Sequence, residues 1–169
     1  MPILKTMSFA AVIAAASVLP STVTAQTISP PEFANKAAVS NTFEIESSRL
    51  AVTMAQRAEV KAFAQQMIAD HTKAATDMQA ALTSDKMAPL PASLDAVHQA
   101  KLDTLKAASG ANFDTAYVAA QRAAHDEAVS LFSNYSQSGA PGALKTFAAN
   151  TLPTLRQHKD HVAHLTSKP

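Results

Sequence analysis

The chain has 169 residues, a length that suits one domain, with 14 basic and 13 acidic residues, three glycines, no cysteine and no tryptophan. Near-neutral charge leaves no footprint for nucleic acid or an anionic membrane surface. The lack of cysteine excludes disulfides, thiolate metal sites and acylation on cysteine, so a packed core must hold the fold and any metal must be bound through His, Asp, Glu, Met or Tyr.

Residues 1–25 read as an export signal. Lys5 supplies the positive start, and Met7 to Leu19 form an uncharged apolar run. That run is short of the roughly 20 residues a membrane span needs. Pro20 and Ser21 break it, and Val23 and Ala25 are small residues at the −3 and −1 positions of a cleavage site before Gln26. Residues 26–169 are then the mature domain, its basic and acidic residues in balance. Export of a small cysteine-free domain suits a bacterial periplasm. No later segment is apolar for long enough to span a bilayer.

Long stretches without glycine or proline, and no alternating segments, predict an all-α chain. After an extended leader, Ser29 can cap a first helix from Pro31 to Ala55, with Phe33, Ala37, Phe43, Leu50 and Ala51 on one arc. A second helix from Arg57 to Thr83 follows a reversal or a bend near 55–57. Pro89 and Pro91 mark a loop over residues 84–93. A shorter helix runs from Leu94 to Ala108 and stops at Ser109-Gly110. Asn112 can cap a fourth helix from Phe113 to Tyr135. "SQSGAPG" breaks the chain, and a fifth helix spans Ala143 to Leu165 with Pro153 inside it, where a kink is expected. Four long helices with one short crossover helix predict a ferritin-like four-helix bundle: two antiparallel hairpins joined by a long crossover.

Several ionisable residues fall on the inward stripes. His71 follows Phe63 and Met67 and precedes Met78; His158 lies between Leu155 and Val162; His125 lies between Gln121 and Val129. Glu44 and Glu46 both flank the arc of the first helix, and periodicity does not choose between them. Heights counted at about 1.5 Å per residue bring Glu44, His71 and His125 to a similar level and leave His158 one or two turns away. Buried imidazole and carboxylate groups need partners or a metal. We take Glu44, His71, His125 and His158 as candidate ligands of a divalent ion (zinc, iron, copper or manganese), with Asp70 and Tyr117 as supporting groups. Against this stands a purely structural reading, in which each histidine hydrogen-bonds a neighbour and specifies packing. In "HKDHVAH" His161 flanks the inward face and His164 points out. Met54, Met67 and Met78 read as soft core filling. Ile68 and Leu155 stand where a di-iron bundle would carry the Glu of Glu-x-x-His.

The blocks "NTFEIESSRLA", "VKAFAQQMIADHTKA", "NFDTAYVAAQRAAHDEAV" and "LKTFAANTLPTLRQHKDHVAHL" resemble those of a bacterial family called domain of unknown function 4142. The resemblance covers nearly all of residues 30–166 and carries over Glu44, Asp70, His71, Asp114, Tyr117, His125, Pro153 and His158. It implies a ferritin-like fold. Members often bear the label of outer membrane protein, which fits poorly with a chain that has neither barrel strands nor a lipid-attachment cysteine.

Two functions are open to such a chain. One is a non-catalytic binding or stress-related protein of the cell envelope, with one metal ion among its core histidines and an envelope protein or a second copy of itself as partner. The other is a metal-dependent redox or hydrolytic enzyme.

Overall fold

The computed structural model describes residues 28–166. The expected export signal lies outside them. The described residues form five helices: α1 (Pro30–Met54), α2 (Ala58–Ser84), α3 (Ala96–Ala107), α4 (Gly110–Ser138) and α5 (Ala143–Thr166). α1 packs on α2 and α4 on α5; the two hairpins meet through α1 with α4 and α2 with α5. α3 crosses from one hairpin to the other, lying mainly on α1. This is the ferritin-like bundle expected from the spacing of the breaks.

The helices begin where local chemistry allows. The Ser29 side chain accepts from the amide of Glu32, and Pro30 and Pro31 fill the first turn of α1, where their missing N–H groups cost nothing. Asp95 accepts from His98 N at 2.8 Å and caps α3. α4 begins earlier than Asn112 would place it, at Gly110, whose φ of +57° a glycine adopts without strain. Pro153 leaves α5 unbroken. It sits on the exposed side with Ala149, so the Ala149 carbonyl, which loses its helical donor, can be hydrated.

The two sharp turns are closed by carboxylates from the opposite hairpin. Between α1 and α2 the chain reverses at residues 55–57, so the alternative of one long bent helix does not hold. There the amides of Gln56 and Arg57 donate to Asp114 of α4 at 2.8 to 3.2 Å. Between α4 and α5, at the other end, the amides of Ala143 and Leu144 donate to Asp85 at 2.8 and 2.9 Å. Gly142 permits that approach, because a Cβ there would lie 2.9 Å from both Asp85 oxygens. Each carboxylate thus satisfies the orphan amides of a helix start and favours its dipole.

The core falls into two apolar halves. One holds Phe33, Leu82, Phe132, Tyr135, Leu144 and Phe147, with Phe33 stacked on Tyr135 at 3.9 Å between ring centres. The other holds Phe43, Val60, Phe63, Leu105, Phe113 and Val162. On all four long helices the boundary between the halves falls at the same level, near residues 41, 71, 125 and 158.

Candidate metal centre

The boundary layer is polar because each helix contributes a polar residue there. His71 from α2, His125 from α4 and His158 from α5 are 6 %, 1 % and 1 % exposed. Their ring centres are 5.4 to 5.9 Å apart. One nitrogen from each ring lies within 4.8 Å of the other two, and among the described residues these three form the group that could hold a metal ion.

Each ring is anchored by its other nitrogen. His71 Nδ1 lies 2.9 Å from Asn41 Oδ1, His125 Nδ1 lies 2.8 Å from the carbonyl oxygen of Gln121, and His158 Nε2 lies 2.8 Å from Asp70 Oδ2. A carbonyl or carboxylate oxygen can only accept, so each anchoring nitrogen carries the proton and donates. The inward nitrogens, His71 Nε2, His125 Nε2 and His158 Nδ1, are then bare lone pairs, and all three are buried without a hydrogen-bond partner. A nitrogen held this way, by an oxygen on its far side, is how metal-binding histidines are oriented. The donor set therefore fits a transition metal. A span of 4.8 Å is more than twice a bond of about 2.0–2.1 Å from zinc to nitrogen, so binding must draw the rings inward.

The other candidates lie around this centre in different roles. Asp70, about one-third exposed, anchors His158 and connects it to the surface. Glu44 is buried, whereas Glu46 pairs with Arg49 at the surface. Glu44 approaches His125 at the anchoring nitrogen, 4.0 Å from Nδ1, and does not join the three inward atoms. Tyr117 shares a hydrogen bond of 2.9 Å with Ser48 and touches none of the three histidines through its hydroxyl. Asp114 and Pro153, carried over from the family blocks, serve the fold: one caps α2 and the other sits in α5. His161 packs on the edge of Phe63, and His164 is exposed. Met67 and Met78 are buried in the two apolar halves.

Three groups escape the sequence reading. Asn41 anchors His71, the Gln121 carbonyl anchors His125, and the Gln121 side chain donates to Ser47 at 3.0 Å. The signal for Asn41 is present: Asn41, Glu44 and Ser48 recur at helical spacing on one face of α1. His158 lies a turn or more closer to the others than heights counted from flush helix ends imply. Among the described residues α5 runs to Thr166, and the Arg57 side chain, at the α1–α2 turn, donates to the carbonyl of Leu165 at 3.1 Å, which sets the level of α5 against that turn.

Burial keeps the three imidazoles neutral. It holds His71 well below its usual range, with repulsion from His125 and His158 adding to the effect. It lowers His125 to about 4 against the opposing pull of the Gln121 carbonyl, and lowers His158 despite the Asp70 carboxylate. Glu44 goes the other way: burial raises it to about 8, opposed by the nearby Gln121 amide and by Lys101.

These shifts have a signed consequence for the metal-free protein. An unfolded chain protonates its histidines near pH 6.5 while the folded chain does not, so stability falls as pH drops from about 6.5 towards 4. His125 alone contributes about 3 kcal/mol to that loss. Glu44 contributes stability that is full below pH 4.5 and is lost as pH rises to about 8. Three groups outweigh one on the acid side, and Glu44 alone acts between pH 6.5 and 8. Urea midpoints are expected to peak near pH 6.5, and Glu44→Gln is expected to abolish the alkaline decline while keeping the acid one. Identical profiles for the variant and the wild type would contradict the burial of an unpaired carboxyl.

Comparison with known proteins gives this geometry a context. The profile of a family described as Domain of unknown function (DUF4142) matches residues 15–165. No curated protein matches the chain. Among solved structures, the fold is similar to one described as CopM in the Cu(II)-bound form, with a TM-score of 0.68 and 19% identity, over 82% of this chain and 96% of that one. Among the described residues no helix is long and apolar enough to cross a membrane.

Proposed function

The chain belongs to the DUF4142 family, and we propose that it is an exported, non-catalytic metal-binding protein of the cell envelope that holds one transition metal ion on His71, His125 and His158. One observation carries this reading: three buried imidazoles, each tied back by an oxygen acceptor, aim unpartnered lone pairs at one another. Leaving three such buried atoms unpaired costs several kcal/mol. An ion that accepts all three lone pairs removes the cost at once.

Imidazole donors without thiolate suit copper, zinc, iron or nickel. We favour copper, and the likeness to a fold that binds Cu(II) supports that choice. Asn41 and Asp70 hold the ring planes of His71 and His158, and the Gln121 carbonyl holds His125. Glu44 stands behind His125 and stays protonated near neutral pH, so it adds no charge to the site. The export signal, cleaved after Ala25, would deliver residues 26–169 to the periplasm, a step that the intact mass of secreted protein checks.

The test is metal analysis of untagged protein, stripped and then reloaded with copper or zinc. One ion per chain is expected. At an ion concentration 100 times the dissociation constant the fold should gain about 2.7 kcal/mol, visible as a higher melting temperature. Less than a tenth of an equivalent bound, with no thermal shift, would overturn the reading.

A second reading keeps the same ligands and adds catalysis, as in a redox or hydrolytic metal enzyme. What favours it is a cavity of about 600 Å³ that reaches His71 and His158. Two of the three ligand rings line that space and His125 does not, which is part of the arrangement of a catalytic metal site, where three protein ligands leave one position open.

A further inference from the structure

The cavity that borders the His71 and His158 rings extends far beyond them. It follows α2 from Asp70 to Ser84 and α5 from Ala143 to His158. These stretches run antiparallel and cover the same length, about 20 Å at 1.5 Å per residue. Its volume of about 600 Å³ is that of a small-molecule site.

Its two ends differ in chemistry. Asn41, Asp70, His71 and His158 stand at one end. Beyond them the floor is apolar, with Ala74, Met78, Phe132, Phe147 and Leu155, while Ser84, Thr146, Asn150, Thr151 and Thr154 also line the cavity. Lys73 and Asp77 at the rim pair with each other at 2.6 Å and cancel. The far end offers no place for an anion, because the α5 N-terminus there already holds the Asp85 carboxylate. Such a channel suits a ligand with one polar head and a long hydrocarbon tail, the head lying at the histidine end.

Charge decides the nature of the head. Three neutral imidazoles leave a divalent ion uncompensated. Asp70 faces the anchoring nitrogen of His158, and Glu44 faces that of His125, so neither reaches the ion directly. A buried charge requires a counter-charge. The geometry points to a long-chain monocarboxylate as the ligand of this cavity, its carboxylate completing the coordination of the ion and its tail lying between α2 and α5 towards Asp85. The inference rests on the metal reading proposed above.

The protein loaded with Co(II) tests both and separates them. Visible absorption of bound Co(II) reports the metal site itself. Laurate, added below its micelle concentration, is expected to change that spectrum and to saturate at one equivalent. Acetate, which has the head without the tail, should need at least 100-fold higher concentration for the same change. Ala81→Phe, which narrows the far half of the channel, should weaken laurate at least tenfold and leave Co(II) and acetate unaffected. If no Co(II) spectrum develops, the metal reading fails and this one falls with it. If Co(II) binds but laurate acts no more strongly than acetate on the wild-type protein, this inference alone is overturned.

Discussion

Replacing His71 with alanine is expected to weaken binding of the transition ion by more than 100-fold while the metal-free fold survives. The ring supplies one of three inward nitrogens, and two imidazoles from separate helices cannot hold an ion against water as three can. Groups that only orient a ligand cost about 10- to 100-fold when removed, which sets the expected range for Asn41→Ala and Asp70→Asn and a lower bound for the ligand itself. Stability of the metal-free variant should change little. The deletion opens a small void and leaves Asn41 without its partner, but it also removes the unpartnered nitrogen His71 Nε2. His125→Ala should behave alike, since its Nε2 is equally orphaned. The measurement pairs metal titration with thermal melting in the presence and absence of the ion. The variants should lose the metal-induced rise in melting temperature. If they keep the metal content of the wild type and instead melt earlier without metal, the histidines are packing residues and the proposed site is wrong.

Asp114→Ala is expected to cost about 3 kcal/mol, the loss of its charge-assisted contacts to two amides at the part-buried start of α2. Asp114 is 2 % exposed and serves the amides of both Gln56 and Arg57. Without it, those donors lose their charged partner and turn to water, and the turn that reverses the chain between α1 and α2 loses its tie to α4. In a domain of this size that energy corresponds to a melting temperature lower by about 6 to 12 °C. Asp114→Asn keeps an acceptor oxygen but not the charge, and should fall between alanine and the wild type. The metal affinity of both variants should remain near that of the wild type, because the turn lies about 20 Å along α2 from His71. Urea unfolding with a parallel metal titration gives both numbers. A wild-type midpoint for Asp114→Ala would remove the capping account, and a lost metal site would show the turn and the histidine layer to be coupled.

The five helices are legible because their boundaries are chemical. Ser29 with two prolines, the proline pair at 89 and 91, and the glycines near 139 and 142 mark starts and stops that neighbouring structure does not override. The start of α4 departs from the cap expected at Asn112 because a left-handed glycine at 110, beside the α1–α2 turn, lets the helix begin earlier. The inward direction of His71, His125 and His158 is likewise legible, since helical period fixes the angle of a residue around its own axis.

What the chain determined by itself is therefore its helical content, its breaks, the crossover that makes two hairpins, and which side chains turn towards the interior. The tertiary structure alone decided their heights. Periodicity carries no information about how far one helix slides along another. That offset is set by packing between the hairpins and by the carboxylates of Asp114 and Asp85, each fastening one turn to the other hairpin. The slide brought His158 level with His71 and His125 and put Glu44 behind a ring instead of among the inward atoms. The pairing of Asn41 with His71 is different: both lie in one hairpin at equal distance from the turn at residues 55–57, so the turn itself sets their register.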